Sequence, residues 1–250
     1  MGSAIASTTT SHASSGGGIA NCVEEIPPES DAWLQVTHLL QVRSRHIQHY
    51  RSVLKLRKLY RIIPQQALSD LEAEAVQANI GSPTQLFHGT NYGSAEAIVK
   101  GGFQLPQHPG MFGRGIYFAK DPLKSVQYAR DRSGPGVRPL GGFGLGSLWQ
   151  LFFGSGAPAA PAAQRMLLCD VYLGKSMTRR RANRSLGVAS LQRHPCLRRC
   201  GARDYNSVHA PGGRCGAVVV TEYVIYNRCQ AIPRFLLEFE TGQPQESETA

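Results

Sequence analysis

The sequence has 250 residues, 42% of them hydrophobic, which is enough for one sizeable domain or two small ones and excludes a wholly disordered chain. The formal net charge is +10, from 27 basic residues, most of them arginine, against 17 acidic ones. Because arginine matches phosphate and carboxylate groups with a planar fork, this charge indicates either an anionic partner or a basic, solvated surface.

Residues 1–30 are rich in Ser, Thr, Gly and Ala and predict a disordered leader. They contain neither the cationic flank nor the apolar core of a signal peptide, and the six cysteines show no compact disulfide framework. The longest uncharged stretch, 139–164, is interrupted by Gly, Pro and Ala and does not predict a membrane span. We therefore expect an intracellular protein, in a nuclear or cytoplasmic location that the sequence does not distinguish.

The next segment, residues 31–80, is predicted to be helical. Apolar side chains recur every three or four residues from Asp31 to about Leu59, which is the helical period, and a second helical stretch runs from Pro64 to Gln77. Gly81-Ser82-Pro83 then ends the helical pattern.

From residue 81 to about 241, short apolar strands alternate with helical segments. The pattern predicts a strand end at Leu86-Phe87, a helix over Ser94–Lys100, a strand over Gly115–Ala119 and a helix over Lys124–Arg130. This organisation is typical of an α+β domain.

A Gly/Pro/Ala-rich insertion, 133–163, separates this half of the domain from a β-rich half. Alternating apolar residues predict strands over Arg165–Leu173, Val218–Tyr226 and Phe235–Glu240. Residues 242–250 predict a flexible tail.

Three polar residues interrupt apolar strands, namely His88, Tyr117 and Glu222. Each has an ordinary explanation on its own, since a strand histidine or tyrosine commonly packs and a strand glutamate commonly faces water. Glycines beside His88 and Tyr117 permit a close backbone approach to a ligand, and a carboxylate inside an apolar run requires compensation. The three are therefore candidate functional residues.

Five motifs surround these residues: Phe87–Thr90, Gly110–Ala119, Lys124–Tyr128, Tyr205–Val208, and Glu222–Tyr226 with Gln230–Pro233. In this order they resemble the catalytic domain of the poly(ADP-ribose) polymerase family, most closely its tankyrase-like members. The similarity covers about residues 84–240. It implies an ADP-ribosyltransferase fold of short antiparallel strands with flanking helices over 81–241, and NAD+ as the substrate.

The resemblance also implies a role for each matched residue. His88, with Thr90, would hold the adenosine ribose of NAD+. Gly89 would bind the nicotinamide carboxamide through its backbone groups, and Ser125 would bind it through its hydroxyl.

The remaining matched residues surround the bond that breaks. Tyr117 and Tyr128 would flank the nicotinamide ring, because aromatic faces bind cationic rings. Glu222 completes the His-Tyr-Glu trio of the family, and it would stabilise the positive charge that develops on the ribose. The implied activity is transfer of ADP-ribose to a protein acceptor or to the enzyme itself, with or without polymer formation. Two alternatives remain open: a transferase restricted to single additions, and a silent module that only binds NAD+ or ADP-ribose.

The tankyrase pattern carries a small Cys/His zinc site that this sequence lacks, since residues 131–165 contain neither Cys nor His. Another metal candidate combines His194, Cys196, Cys200 and Cys215. Its spacing matches no strong zinc signature, and we expect no metal.

Residues 175–214 contain ten basic residues and one acidic residue, Asp204. Arg179, Arg180, Arg181 and Arg184 are candidates to bind an anionic polymer or nucleic acid. The alternative is a solvated basic loop without a partner.

Overall fold

The structure is a computed structural model that describes residues 22–44, 52–63, 77, 80–129, 164–192 and 204–242. The strands of the described residues are β1 Cys22–Glu25, β2 Val53–Ile63, β3 Thr84–Gly89, β4 Ile116–Ala119, β5 Gln164–Val171, β6 Ser176–Thr178, β7 Ser207–Ala210, β8 Glu222–Ile225 and β9 Ala231–Gly242. The helices are α1 Asp31–Ser44, α2 Tyr92–Gly101, α3 Pro122–Val126 and α4 Val188–Gln192, with a 3₁₀ turn at Arg228–Gln230.

The described strands form one nine-stranded sheet in the order β1-β2-β9-β5-β3-β4-β8-β7-β6. Neighbouring strands are antiparallel except β6 and β7, which are parallel. A mixed sheet with a few helices is an α+β arrangement, and the predicted fold class is confirmed at that level.

Helices pack on the sheet through separate apolar clusters. Val36 and Leu40 of α1 and Leu123 of α3 pack with buried side chains of β2, β5, β3 and β9 in one cluster. Ala95 and Val99 of α2 belong to a second cluster, with other side chains of the same strands. A third cluster lies around β6, β7 and β8. The central strands are therefore covered on both faces, which accounts for their nearly continuous apolar sequences.

Two elements in the N-terminal part of the chain differ from the sequence predictions. Cys22–Glu25 is a strand paired with Tyr60–Ile63, so the predicted disordered leader is wrong for residues 22–25. Residues 53–63, predicted as helix, form β2, which pairs along its length with β9. The strand therefore belongs to the main sheet and is not part of a preceding helical segment.

The spacing of apolar side chains in β2 explains why its sequence imitates a helix. The register shifts between Leu56 and Lys58, which lengthens the interval between buried residues from two to three. Beyond Leu59 the buried side is the opposite one: Leu59 belongs to the first cluster and Ile62 to the second. Together the bulge and the change of buried face produce intervals close to the helical period.

Other predictions are confirmed in outline. α1 and α2 form where helices were predicted. α3 ends at Val126, so the predicted Lys124–Arg130 helix is confirmed for Lys124–Val126 and wrong for residues 127–129, which follow the helix as a turn. β8 begins at Glu222, so the strand predicted over Val218–Tyr226 is wrong for its first residues, which lie in a loop. The short strands β6 and β7 were not predicted.

Several predictions concern residues outside the described ranges. These are the leader over 1–21, most of the helix over 64–77, the insertion over 133–163 and the tail over 243–250. Among the helices that the structure describes, none is both long and apolar enough to cross a membrane.

The pairing of β2 with β9 makes Leu59 a test of this architecture. Leu59 is fully buried, so we expect Leu59→Ala to lower the free energy of unfolding by about 2–5 kcal/mol through lost burial and a residual cavity. Val53→Ala on the same strand is the control, because Val53 is 51% exposed. Urea unfolding of both variants measures the difference. Equal small losses would show that β2 does not belong to the core.

Candidate active site

β3 and β4 share fewer paired residues than any other neighbouring strands of the described sheet. Only Phe87 and Ala119 are in register there, whereas β3 pairs with β5 from Thr84 to Gly89 and β4 pairs with β8 along its whole length. Beyond this single pair no residues of β3 and β4 are in register, and we call this break in the pairing the seam. The ends of β3 and β4 therefore line a common cleft.

The side chain of His88 bridges the seam. Its Nδ1 lies 2.8 Å from the carbonyl oxygen of Tyr117, and because a carbonyl only accepts, Nδ1–H donates and Nε2 is left as an acceptor. The ring packs edge-on against Phe103 and at an angle of 51° against Phe118, at centroid distances of 5.1 and 5.5 Å. Burial lowers the pKa of His88, and the bond to the Tyr117 carbonyl opposes that shift. His88 is thus held neutral, with a fixed tautomer.

The cleft has a volume of about 740 Å³, within the range of nucleotide-sized ligand sites. All the residues that the resemblance assigned to the NAD+ site line this one cavity. They are His88, Gly89, Thr90, Tyr117, Ser125, Tyr128 and Glu222. Residues separated by more than a hundred positions in the chain are thereby brought together.

Tyr117, on β4, is held by its hydroxyl. The hydroxyl accepts from the Phe112 N–H and donates to the Gly113 carbonyl, both at 2.9 Å, within a turn that Gly110 and Gly113 close by two backbone bonds. Burial, with a smaller contribution from the Glu222 charge, raises the pKa of Tyr117 to about 12. The hydroxyl is therefore neutral and occupied, and the ring is available as a wall of the cleft.

A second tyrosine fixes the same turn. Tyr226, which is buried, donates its hydroxyl to the Phe112 carbonyl, and burial raises its pKa. Gly113 has φ of +85°, and a Cβ there would lie 1.9 Å from the Leu186 carbonyl oxygen. The turn over Gly110–Gly113 is thus held by the hydroxyls of Tyr117 and Tyr226 and by the close approach of Gly113 to Leu186.

Gly89 allows β3 and α3 to meet at the floor of the cleft. A Cβ at this position would lie 1.9 Å from the Ser125 carbonyl oxygen and 2.6 Å from its carbon. Ser125 is itself buried, and Asp121 caps α3 by accepting from the Leu123 N–H. The absence of a side chain at Gly89 therefore sets the distance between the two elements.

Glu222 is the first residue of β8 and its side chain is only 7% exposed. Its Oε1 lies 3.1 Å from Nζ of Lys124, whose side chain is 13% exposed. A carboxylate in such a site needs a compensating charge, and the ammonium supplies it. The pair places one negative and one positive group at the same point of an otherwise mostly apolar cleft.

Lys124 is a site residue that sequence analysis did not assign to the site. It lies within the motif Lys124–Tyr128, but a lysine in a helix ordinarily faces water, and no periodicity distinguishes it. Its Nζ also lies 3.3 Å from the Gln127 side-chain oxygen and 5.7 Å from the centre of the Tyr128 ring. Tyr128 is 54% exposed, so it borders the mouth of the cleft.

A family model for the poly(ADP-ribose) polymerase catalytic domain matches residues 35–241. The chain belongs to this family. The match takes in most of α1 and all of β2, in agreement with the pairing of β2 to β9 in the main sheet. Domains of this family use NAD+ as their substrate.

The described residues contain no group of three or more His, Cys, Asp or Glu that could hold a metal ion. Three members of the zinc candidate, His194, Cys196 and Cys200, lie outside the described ranges, and the fourth, Cys215, is an exposed free thiol. Cys169 is fully buried in the sheet, and burial raises its pKa. None of the described cysteines lines the cleft.

The contact between Gly89 and Ser125 generates a prediction. We expect Gly89→Ala to displace α3, and with it Ser125 and Lys124, and to weaken NAD+ binding at least tenfold, which corresponds to about 1.4 kcal/mol. Calorimetric titration with NAD+ measures the loss. Gly187→Ala is the matched control, because a Cβ at Gly187 meets nothing within 4 Å. Unchanged binding in Gly89→Ala would show that this contact does not shape the site.

Proposed function

We propose that the protein is an NAD+-dependent ADP-ribosyltransferase, which breaks the bond between nicotinamide and ribose and transfers the ADP-ribosyl group to a macromolecular acceptor. The observation that carries the proposal is the nearly buried Glu222–Lys124 pair in the same cleft as His88 and Tyr117. This arrangement supplies a fixed carboxylate where positive charge is expected to develop.

The cleft suits the parts of this substrate. His88 offers Nε2 as an acceptor for a ribose hydroxyl, since its other nitrogen is committed to the Tyr117 carbonyl. The rings of Tyr117 and Tyr128 offer π faces to the cationic nicotinamide ring. Gly89 and Ser125 adjoin each other on the cleft floor, where backbone and hydroxyl groups would hold the carboxamide.

The transfer is a substitution at the ribose carbon that carries nicotinamide. The electron pair of the breaking C–N bond leaves with nicotinamide, which becomes neutral, and the positive charge that builds on the ribose is stabilised by the Glu222 carboxylate. An acceptor oxygen forms the new bond to the same carbon and loses its proton. Glu222 assists that loss by accepting a hydrogen bond from an acceptor hydroxyl, while Lys124 is a positioning residue that acts through Glu222.

The proposed acceptor is a protein or the enzyme itself. The intact His-Tyr-Glu trio is compatible with polymer formation. Transfer of single ADP-ribose units and pure NAD+ binding are the outcomes that product analysis would distinguish. The five motifs in their order support a place among the tankyrase-like members, and an intracellular location remains a prediction.

Glu222→Gln tests the mechanism. The amide keeps the shape of the side chain but removes its charge, so we expect turnover to fall by about 10²–10⁴ while NAD+ binding is retained. Release of labelled nicotinamide measures turnover, calorimetry measures binding, and gel analysis measures product length. Glu240→Gln, at an exposed ion pair with Arg57, is the matched control. Normal turnover in Glu222→Gln would refute the mechanism, and no nicotinamide release by the wild type would select the binding module.

Lys124→Met tests the pair separately. Without the ammonium the Glu222 carboxylate lacks its partner, so we expect kcat to fall about tenfold or more, with Lys124→Arg intermediate because it keeps the charge. Lys120→Met is the control, since Lys120 is an exposed lysine of the same region. A change confined to KM, with kcat intact in Lys124→Met, would show that the lysine serves binding alone.

A further inference from the structure

Four arginines of the described chain are neutralised by acidic side chains. Arg57, Arg61, Arg165 and Arg234 each form an ion pair with a carboxylate, either Glu or Asp. In these places the positive charge is neutralised within the protein. They are therefore not the source of an unbalanced positive surface.

A second group, which we call the basic surface, consists of Arg179, Arg180, Arg181, Arg184 and Arg214. In the part of the chain that the structure describes, none of them has a carboxylate within ion-pair distance. All except Arg179 are exposed. Five guanidinium groups without an acidic neighbour create a field that attracts polyanions.

Backbone contacts bring the two parts of the basic surface together. The loop after β6 carries Arg179–Arg184, and the loop after β7 carries Arg214. The Ala217 N–H donates to the Arg180 carbonyl at 2.8 Å, which ties the second loop to the first. The two loops that carry these arginines are therefore held next to each other.

Two aromatic rings adjoin these charges. His209 and Tyr223 are stacked at 5.2 Å with an angle of 18° between their planes, and both are partly exposed. The Arg179 N–H donates to the His209 carbonyl, and burial together with the charge of Arg180 lowers the pKa of His209. A neutral aromatic pair beside arginines is a combination that recognises nucleotides, through stacking on bases and contacts to phosphates.

The same loop is attached to the cleft. The Asn183 N–H donates to the Met111 carbonyl at 2.8 Å, and Arg184 donates to the Pro109 carbonyl at 3.0 Å. These contacts reach the turn that holds the Tyr117 hydroxyl. A ligand on the basic surface would thus lie beside the Tyr117 side of the cleft.

We propose that the basic surface binds single-stranded nucleic acid, with the arginines on the phosphodiester backbone and the His209–Tyr223 pair against a base. Acidic peptides would match the charge but supply no base for the aromatic pair. The strand would be held next to the cleft, within reach of the proposed transferase site. This binding does not depend on the proposed activity, and Glu222→Gln is expected to bind the strand as the wild type does.

The experiment is an anisotropy titration of the full chain with a fluorescein-labelled single-stranded RNA of about 12 nucleotides. Titrations at several KCl concentrations between about 50 and 200 mM give the salt slope. For Arg180→Ala/Arg181→Ala we expect affinity to fall about tenfold and the slope to decrease by about 1.4, from two lost phosphate contacts. Arg57→Ala/Arg61→Ala removes the same formal charge from β2 and should bind like the wild type.

A second comparison isolates the bases. His209→Ala should weaken binding of the RNA severalfold while leaving binding of inorganic polyphosphate unchanged, because polyphosphate has no bases to stack. Equal losses in the two arginine pairs would overturn the proposal by showing that only total charge matters. Equal competition by a glutamate oligomer, or equal effects of His209→Ala on RNA and polyphosphate, would overturn nucleic acid as the ligand.

Discussion

The seam between β3 and β4 is the constraint on which the rest of the site depends. A sheet that kept its full ladder at this point would leave no opening between the two strands. Phe87 and Ala119 keep the sheet continuous, and beyond them the imidazole of His88 replaces a backbone partner by bonding to the Tyr117 carbonyl. One side chain therefore holds the strand ends together and lines the cavity between them. Gly89 then admits α3 and its Lys124 to the same opening.

In the described part of the chain, charges inside the cleft are paired with opposite charges, whereas those of the basic surface outside it are not. Inside the cleft, Glu222 and Lys124 compensate each other, so the cavity carries little net charge and suits a substrate with both anionic and cationic parts. Outside it, the basic surface has no compensating carboxylates among the described residues. The net charge of +10 is thus a property of the surroundings of the cleft more than of its interior.

Sequence patterns predicted the elements that are determined by residues close together in the chain. The strand around Glu222 and the helix over Ser94–Lys100 follow from the spacing of apolar residues, and the resemblance identified His88, Tyr117 and Glu222. The pattern predicted a helix where β2 lies, because the bulge and the change of buried face in β2 depend on its pairing with β9, which is distant in the chain. The ion pair of Lys124 with Glu222 could not be predicted either, because only the fold brings the two side chains together.

The placement of the cysteines has a chemical consequence. Cys169 is buried between strands with a raised pKa, and Cys215 and Cys229 lie away from the cleft, so among the described residues no thiolate lines the cavity. Reactive oxygen species and alkylating compounds act on accessible thiolates. Thiol-directed reagents therefore find no described target within the cavity. Among the described lining residues, Lys124 offers an amine and Tyr128 a phenol to a covalent inhibitor.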